Sequence, residues 1–373
     1  MSGPTLPKMS QSLTIKKIDG KPGQVYYPLQ INHLPKPAPG PKELLVRVHS
    51  AALNHRDLFI RQALYPGISF AHPLLADGFG SVVAAPSSPH LLGRRVLLTP
   101  SRGWAASPDG PEDIARFSVI GAAALYPTGA AQDYVVVDEA EVELAPAHLS
   151  PNEAAALPLV GLTAWRALVT KGLDGDVAAA AGKNILVTGI GGGVALAALQ
   201  FGVALGCKVY VTSSSAAKLE RARALGAAGG VSYKEASWEK QLAAQLPASR
   251  PYLDAVIDGA GGDIVSKSVK LLRPGGVISV YGMTVGPKMD WTMQAVMKNI
   301  DLRGSTMGSR IEFRDMVAFV REHKIKPVVS RVVKGLDNIE AINGLFDDMK
   351  NGKQFGKLVI EISSPDDDAG AKL

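Results

Sequence analysis

The chain has 373 residues, 46% of them hydrophobic and 20% charged, with a formal net charge of +6 and one cysteine, Cys207. This length suits two domains better than one core, and the balance is that of a soluble globular protein. A lone cysteine excludes an internal disulfide and a zinc site built on several thiolates, and the lack of any long apolar run, near the first residues or elsewhere, gives no reason to expect a secretory leader or a membrane span.

In chain order, the first 150 residues are rich in proline and glycine and carry short β-type runs at 44–48, 81–83, 95–98 and 134–137. Turn formers such as Pro37-Ala38-Pro39-Gly40 separate them, which predicts a compact, mostly antiparallel β domain. Residues 101–129 read as a long loop region with Trp104, Phe117 and Tyr126, rings that either shape access to a cleft or anchor the loop. The pattern changes near residue 150. Ser150-Pro151-Asn152-Glu153 is a helix start, with a hydroxyl N-cap, a proline in the first turn and an acid three residues on. Strands at 185–188, 208–212, 231–233, 255–258, 277–281 and 302–306 then alternate with helices, among them 196–205, 216–225 and 263–272. Such alternation predicts right-handed βαβ units and a parallel sheet covered on both faces. After a helix at about 312–323 the chain returns to short strands, the last at 357–362, and is expected to rejoin the first domain.

Residues 184–195 read Asn-Ile-Leu-Val-Thr-Gly-Ile-Gly-Gly-Gly-Val-Ala. An apolar run stops at a glycine cluster and a helical pattern follows. A parallel strand turns into a helix around a dinucleotide pyrophosphate in this way. Glycines let the backbone approach the phosphates, and the helix N-terminus offers unpaired N–H groups and a positive dipole end. Gly191, Gly192, Gly193 and Val194 are therefore candidate cofactor residues. The second strand ends near Thr212, about 23 residues after Gly189, where a fingerprint of this type places its ribose-reading side chain. An NAD enzyme wants an acid there. This chain has Thr212-Ser213-Ser214-Ser215, followed by Lys218, Arg221 and Arg223. Hydroxyls and cations suit a 2′-phosphate, and no acid is present to repel it. Ser213, Ser214 and Lys218 join the candidates, and NADP(H) is the expected cofactor. The cations could equally be the wet face of a helix, so the missing acid is the better argument.

Further marks are Ala52-Leu53-Asn54-His55-Arg56-Asp57 with Tyr65-Pro66, Gly161-Leu162-Thr163-Ala164-Trp165, Leu225-Gly226-Ala227, Leu272-Arg273-Pro274-Gly275-Gly276 and Phe355-Gly356-Lys357-Leu358-Val359. In this order and spacing, over about residues 40–362, the chain resembles the medium-chain dehydrogenase/reductase superfamily, in particular its zinc-free quinone-oxidoreductase-like branch. The resemblance implies the α/β class: a Rossmann doubly wound parallel sheet in residues 151–324, and a GroES-like, mostly antiparallel β domain made of 1–150 and 325–373, with the active site in the cleft between them. It implies that Asn54 and Tyr65 face nicotinamide and substrate, and that Thr163 lies near the nicotinamide. Tyr233 would pack beside the adenosine phosphate, Gly259 and Ala260 would pass over the adenosine, and Lys357 would reach toward the cofactor phosphates. Relatives often carry glycine where this chain has Ala195. A homodimer is the oligomer the resemblance suggests.

Zinc-dependent members use a cysteine, a histidine and commonly a glutamate or second cysteine. The corresponding positions hold Asn54, Ala76 and about Leu159, with Asp77 surviving beside Ala76. One carboxylate does not supply the three protein ligands that catalytic zinc needs, so no metal is expected. A different site made of His55, His72 and Asp77 is the metal-bearing alternative. Without a Lewis acid, plain alcohol oxidation is hard, whereas an enone or quinone spreads incoming charge onto oxygen. The reading is zinc-independent, NADPH-dependent hydride transfer to an apolar enone or quinone, with Tyr65 or water giving the proton. The alternatives are an atypical alcohol dehydrogenase with a nonstandard metal site and a non-catalytic NADPH-binding sensor. Lysines and arginines are scattered, so no nucleic-acid partner is expected, nor a membrane. The expected location is cytoplasmic, or peroxisomal if Ala371-Lys372-Leu373 works as a Ser-Lys-Leu-type address.

Overall fold

The computed structural model describes residues 9–286 and 288–364. Ala371-Lys372-Leu373 lie outside them. The chain divides into two compact units, Met1–Leu159 with Ser309–Leu373, and Val160–Gly308.

The first unit is built on a seven-stranded sheet. Its strands run in the order Val329–Lys334, Lys357–Glu361, Glu43–Ala52, Asp77–Ala84, Arg95–Leu98 and Val142–Leu144, and Tyr134–Asp138 also pairs with Glu43–Ala52. Every pairing is antiparallel except the first, between Val329–Lys334 and Lys357–Glu361. Parallel neighbours need a crossover, and helix Ile339–Lys350 lies between these two in the chain. Leu44, Val46, Val48, Val96, Leu98, Leu358, Ile360 and Phe346 are buried in one apolar cluster. The mostly antiparallel β domain is thus as the sequence implies, and the late strands Val329–Lys334 and Lys357–Glu361 belong to its sheet. The long loop is tied down by its own tryptophan. Trp104 is buried, donates from Nε1 to the Ser107 carbonyl at 2.9 Å and meets the Phe117 ring edge-on.

The second unit holds six parallel strands: Asn184–Val187, Lys208–Ser213, Gly229–Ser232, Leu253–Asp258, Leu272–Val280 and Asp301–Gly304. Numbered along the chain, they lie in the order 3-2-1-4-5-6. This is the Rossmann order, with its topological switch between the first and fourth strands. The first strand is buried at all four positions, as a central strand covered on both faces must be. The expected helix at 263–272 is shorter, Ile264–Ser268, because Leu272 already begins the fifth strand.

The units divide after residues 159 and 308, not near 150 and 324. In both places a helix joins the first unit through polar contacts the sequence does not announce. Ser50 Oγ donates to Asn152 Oδ1 at 2.8 Å, in helix Pro151–Ala155. Arg310, at the start of helix Arg310–His323, donates to the carbonyls of Ala140 (2.6 Å) and Val142 (2.8 Å) and to the Glu143 carboxylate (2.6 Å). The 3.6-residue period identifies a helix but not the core that its face joins.

Candidate functional site

In the second unit, the strand Asn184–Val187 leads through residues 188–192 into the twelve-residue helix Gly193–Ala204, with Gly192 as N-cap. Gly189 and Gly191 have φ of +64° and +123°, conformations that L side chains rarely adopt. A Cβ on Gly189 or Gly192 would meet nothing within 4 Å, so the backbone of the turn is open to a close approach. Leu196 N–H is bonded back to the Gly192 carbonyl. The N–H groups ahead of it belong to the first turn, where helix geometry leaves donors without an intrahelical acceptor. The turn is pinned to the neighbouring strand: Ile190 N donates to the Thr212 carbonyl at 2.8 Å and Gly189 N to Thr212 Oγ1 at 3.1 Å. The Lys218 ammonium lies 3.2 Å from where a Gly191 Cβ would stand. Burial first, then the adjacent Arg221 charge, hold the Lys218 pKa below its ordinary value. A cation so placed gains from an anion in the turn.

Ser213 closes the second strand and is buried, and its Oγ accepts from Ser215 N at 3.2 Å. Ser214 follows, exposed. Helix Ala216–Ala224 then starts on Ser215 and presents Lys218 from its first turn. No acid stands at this strand end. Tyr233, 49% exposed, follows the third strand, and its N–H donates to the Ser213 carbonyl. Thr188, just after the first strand, and Asp258, the last residue of the fourth, form a polar clamp. Thr188 Oγ1 donates to Asp258 Oδ1 at 2.6 Å, and the N–H groups of Ala260 and Gly261 donate to the same carboxylate at 3.1 and 2.8 Å. Burial nevertheless raises the Asp258 carboxyl above its usual value. A Cβ on Gly259 would come within 2.5 Å of the Tyr281 side chain, so any larger residue there requires Tyr281 to move. Thr163, in helix Pro158–Trp165, is buried and its hydroxyl lies 3.7 Å from Met307 Sδ. Backbone, hydroxyls and a cation thus fit a phosphorylated dinucleotide.

In the first unit, Asn54 is the N-cap of helix His55–Arg61, and its N–H donates to Asp57 Oδ2 at 2.7 Å. The Asn54 amide also bonds away from the helix. Nδ2 donates to Asp77 Oδ2 at 2.8 Å, and Oδ1 accepts from Lys357 Nζ at 2.6 Å. Lys357 Nζ also donates to Asp77 Oδ2 at 2.7 Å, while Leu159 N donates to Asp77 Oδ1 at 2.7 Å. Asp77 is 0% and Lys357 4% exposed, so this is a buried ion pair cross-linked by an amide. Asp77 heads one strand and Lys357 another, on either side of Glu43–Ala52 in the sheet. Beside them Asp57 is fully buried, and burial pushes its carboxyl up to about 6 against the opposing pull of Arg56. Arg56 donates to the carbonyls of Ile120 (2.9 Å) and Gly121 (3.0 Å) and lies 4.7 Å from the centre of the half-buried Tyr65 ring.

Two expectations differ from these contacts. Lys357, expected to reach a cofactor phosphate, is committed to Asp77 and Asn54, because a buried ammonium requires a counter-charge. His55, His72 and Asp77 do not converge. His55 packs on Phe59, His72 Nδ1 bonds the Ala123 carbonyl at 2.7 Å, and Asp77 is taken by Lys357. Among the described residues no three acids, histidines or cysteines are grouped so as to hold a metal ion. The donor set around Asn54 does not fit zinc: it offers one carboxylate, and an ammonium already neutralises it. Sequence reasoning missed the Asp77–Lys357 pair and the Thr188–Asp258 clamp. The second had a signal, since polar residues close the first and fourth strands of a 3-2-1-4-5-6 sheet; the first, 280 positions apart, had none.

Comparison with known proteins agrees with both halves of this description. Residues 40–147 match the alcohol dehydrogenase GroES-like domain, and residues 193–322 match the zinc-binding dehydrogenase family. The zinc-type alcohol dehydrogenase-like protein YogA of Leptosphaeria maculans is 60% identical over 362 residues, covering 95% of this chain and all of that one. The NAD(P)H oxidoreductase RTN4IP1, mitochondrial, of Danio rerio is 29% identical over 359 residues, covering 86% of this chain and 84% of that one. A crystal structure of an NAD-dependent alcohol dehydrogenase superposes with a TM-score of 0.81 at 31% identity, covering 95% of this chain and 100% of that one. The chain belongs to the medium-chain dehydrogenase/reductase superfamily, among the zinc-type alcohol dehydrogenase-like oxidoreductases.

Proposed function

We propose that the protein is a zinc-independent, NADPH-dependent oxidoreductase that reduces an apolar enone or quinone-type substrate. The observation that carries this reading is the buried cluster of Asn54, Asp77 and Lys357. Asn54, which stands where relatives carry a zinc ligand, and the nearby Asp77 carboxylate are bonded to each other and to Lys357, which favours an acceptor able to spread incoming charge onto its own oxygen. NADP(H), when bound, supplies the hydride. Gly191, Gly192, Gly193 and Val194 receive the pyrophosphate with backbone N–H groups, and Lys218 adds charge there. Ser213 and Ser214 hold the phosphorylated ribose. Tyr233, Gly259 and Ala260 border the adenosine, and Thr163 lies beside the nicotinamide. Asn54 and Tyr65 face the substrate, the amide donating to its oxygen and the ring orienting a flat acceptor.

The test is oxidation of NADPH by 1,4-benzoquinone and 3-penten-2-one, before and after treatment with a chelator, together with metal analysis of the purified protein. Turnover that survives chelation is expected. Turnover lost on chelation and restored by zinc overturns the reading in favour of an atypical alcohol dehydrogenase. Tight NADPH binding with no turnover favours a sensor.

The partner we propose is a second copy of the chain. Asp301–Gly304 ends the order of the six-stranded sheet, and Leu302 in it and Val285, Trp291, Met293 and Met297 in the preceding stretch of chain are exposed. An open edge with apolar neighbours is a liability that pairing removes. Leu302→Asp is expected to turn a dimer into a monomer in sedimentation. The location we propose is cytoplasmic or peroxisomal; deletion of residues 371–373 from a tagged protein distinguishes the two.

A further inference from the structure

Two loops of the second unit are built in opposite ways. The glycine turn runs into a helix whose first-turn N–H groups have no intrahelical acceptor. In the loop after the fourth strand, each N–H from residue 259 to 261 has a partner. Gly259 N donates to Thr188 Oγ1 at 3.3 Å, Ala260 N to Asp258 Oδ1 at 3.1 Å and Gly261 N to Asp258 Oδ2 at 2.8 Å. Thr188 Oγ1 gives its own hydrogen to Asp258 Oδ1 at 2.6 Å. Three consecutive backbone donors thus end on two side chains, both buried. The carbonyls are engaged as well: Gly259 accepts from Thr284 N and Oγ1, both at 3.2 Å, and Ala260 from Val285 N at 2.9 Å. What the half-buried Gly259 and Ala260 offer a ligand is therefore carbon surface.

The place of the clamp matters. The ladder between the first and fourth strands ends at Val187 and Ile257, with one more bond from Thr188 N to the Ile257 carbonyl at 3.1 Å. There the chains part. Thr188 leads into Gly189 and the glycine turn, and Asp258 into a loop with Gly261 and Gly262 at φ +73° and +66°. This is the topological switch, where the crevice of such a sheet lies. The hydroxyl and the carboxylate carry the pairing past the end of the ladder.

We propose that Thr188 and Asp258 are positioning residues for the coenzyme, holding loop 259–261 in register with the glycine turn before the coenzyme arrives. The turn then meets it with N–H donors and the loop with carbon surface. The inference rests on the dinucleotide reading above. The pyrophosphate suits the donors, and a flat purine suits a surface whose donors are already spent. A loop set in advance spares the coenzyme the cost of ordering it.

The test measures NADPH and NADH binding to the full chain by fluorescence titration, at a temperature where circular dichroism shows each variant folded. Thr188→Val keeps the shape and removes the hydroxyl. Asp258→Asn sets an NH2 against the N–H of residue 260 or 261, whichever way the amide turns. Each is expected to raise the Kd of both coenzymes about tenfold and by the same factor, since the preference between them is read at the end of the second strand. Thr188→Ser, which restores the hydroxyl, should return the Kd to within about threefold of wild type. Amide hydrogen exchange on wild type, resolved by residue, is the readout that needs no variant. The amides of 259–261 should be protected without coenzyme and change little on adding NADPH, while those of 192–194 gain protection. Kd values kept within threefold in folded Thr188→Val and Asp258→Asn overturn the inference and leave the functional reading standing. So do 259–261 amides that become protected only with NADPH, and this result decides alone if the variants fail to fold. A wild type that binds neither coenzyme overturns the reading and the inference together.

Discussion

The glycine turn of the second unit and the Asn54 cluster of the first both manage charge inside a protein, by opposite means. The turn uses backbone. Its donors come from consecutive residues, its shape from Gly189 and Gly191, and its fixing from a strand edge beside it. The cluster uses side chains drawn from residues 54, 77 and 357 and one backbone N–H from residue 159. A site made of backbone tolerates changes of side chain so long as φ is respected. A buried cluster of charges tolerates almost no single change, because removing one partner strands another.

This contrast can be broken most sharply at Asp77. Asp77→Leu leaves the Lys357 ammonium buried without its counter-charge and is expected to cost about 3–5 kcal/mol in urea unfolding. The double variant Asp77→Leu, Lys357→Met should recover a large part of that loss, and a purely additive result would contradict the ion-pair account. Next in size is the turn. Gly191→Val forces a β-branched residue to φ +123° and is expected to cost about 1–3 kcal/mol of stability, with at least a tenfold loss of NADPH affinity in fluorescence titration. Ser214→Asp, at an exposed position, should leave unfolding unchanged within about 0.5 kcal/mol yet shift the NADPH-to-NADH preference about tenfold toward NADH. A wild type that prefers NADH would remove the basis for that expectation.

The smallest effect sits beside the cluster. The Asp57 carboxyl is pushed up to about 6 by burial, above its value in the unfolded chain. Between roughly pH 4 and 6 the folded state then binds more protons than the unfolded one, so this group lowers stability as pH rises through that window and adds no further slope above it. Asp57→Asn should flatten that part of the stability profile. An unchanged slope in urea unfolding at pH 4, 5 and 6 would remove Asp57 as its source.

What could be read from the sequence follows the same division. The strand starting at Asn184, the glycine turn, the helix after it and the hydroxyl-rich end of the second strand are all local patterns, and each stands within a few residues of where the sequence places it. The family marks around Asn54 and Lys357 were legible as well, but not what the two residues do to each other. Sheet order decides that, by flanking Glu43–Ala52 with the strands that Asp77 and Lys357 begin. Helix Arg310–His323 was legible as a helix, while its membership of the first unit depends on Arg310 reaching three acceptors around residue 142.

The chain order of the first unit has a consequence for how the protein is made. Residues 54, 77 and 159 leave the ribosome before any part of residues 160–308, and Lys357 leaves after all of them. A nascent chain therefore carries Asp77 with hydrogen-bond donors but no ammonium until its final strand emerges. The second unit, continuous in sequence, is complete earlier and is free to fold while the first still lacks its closing strand.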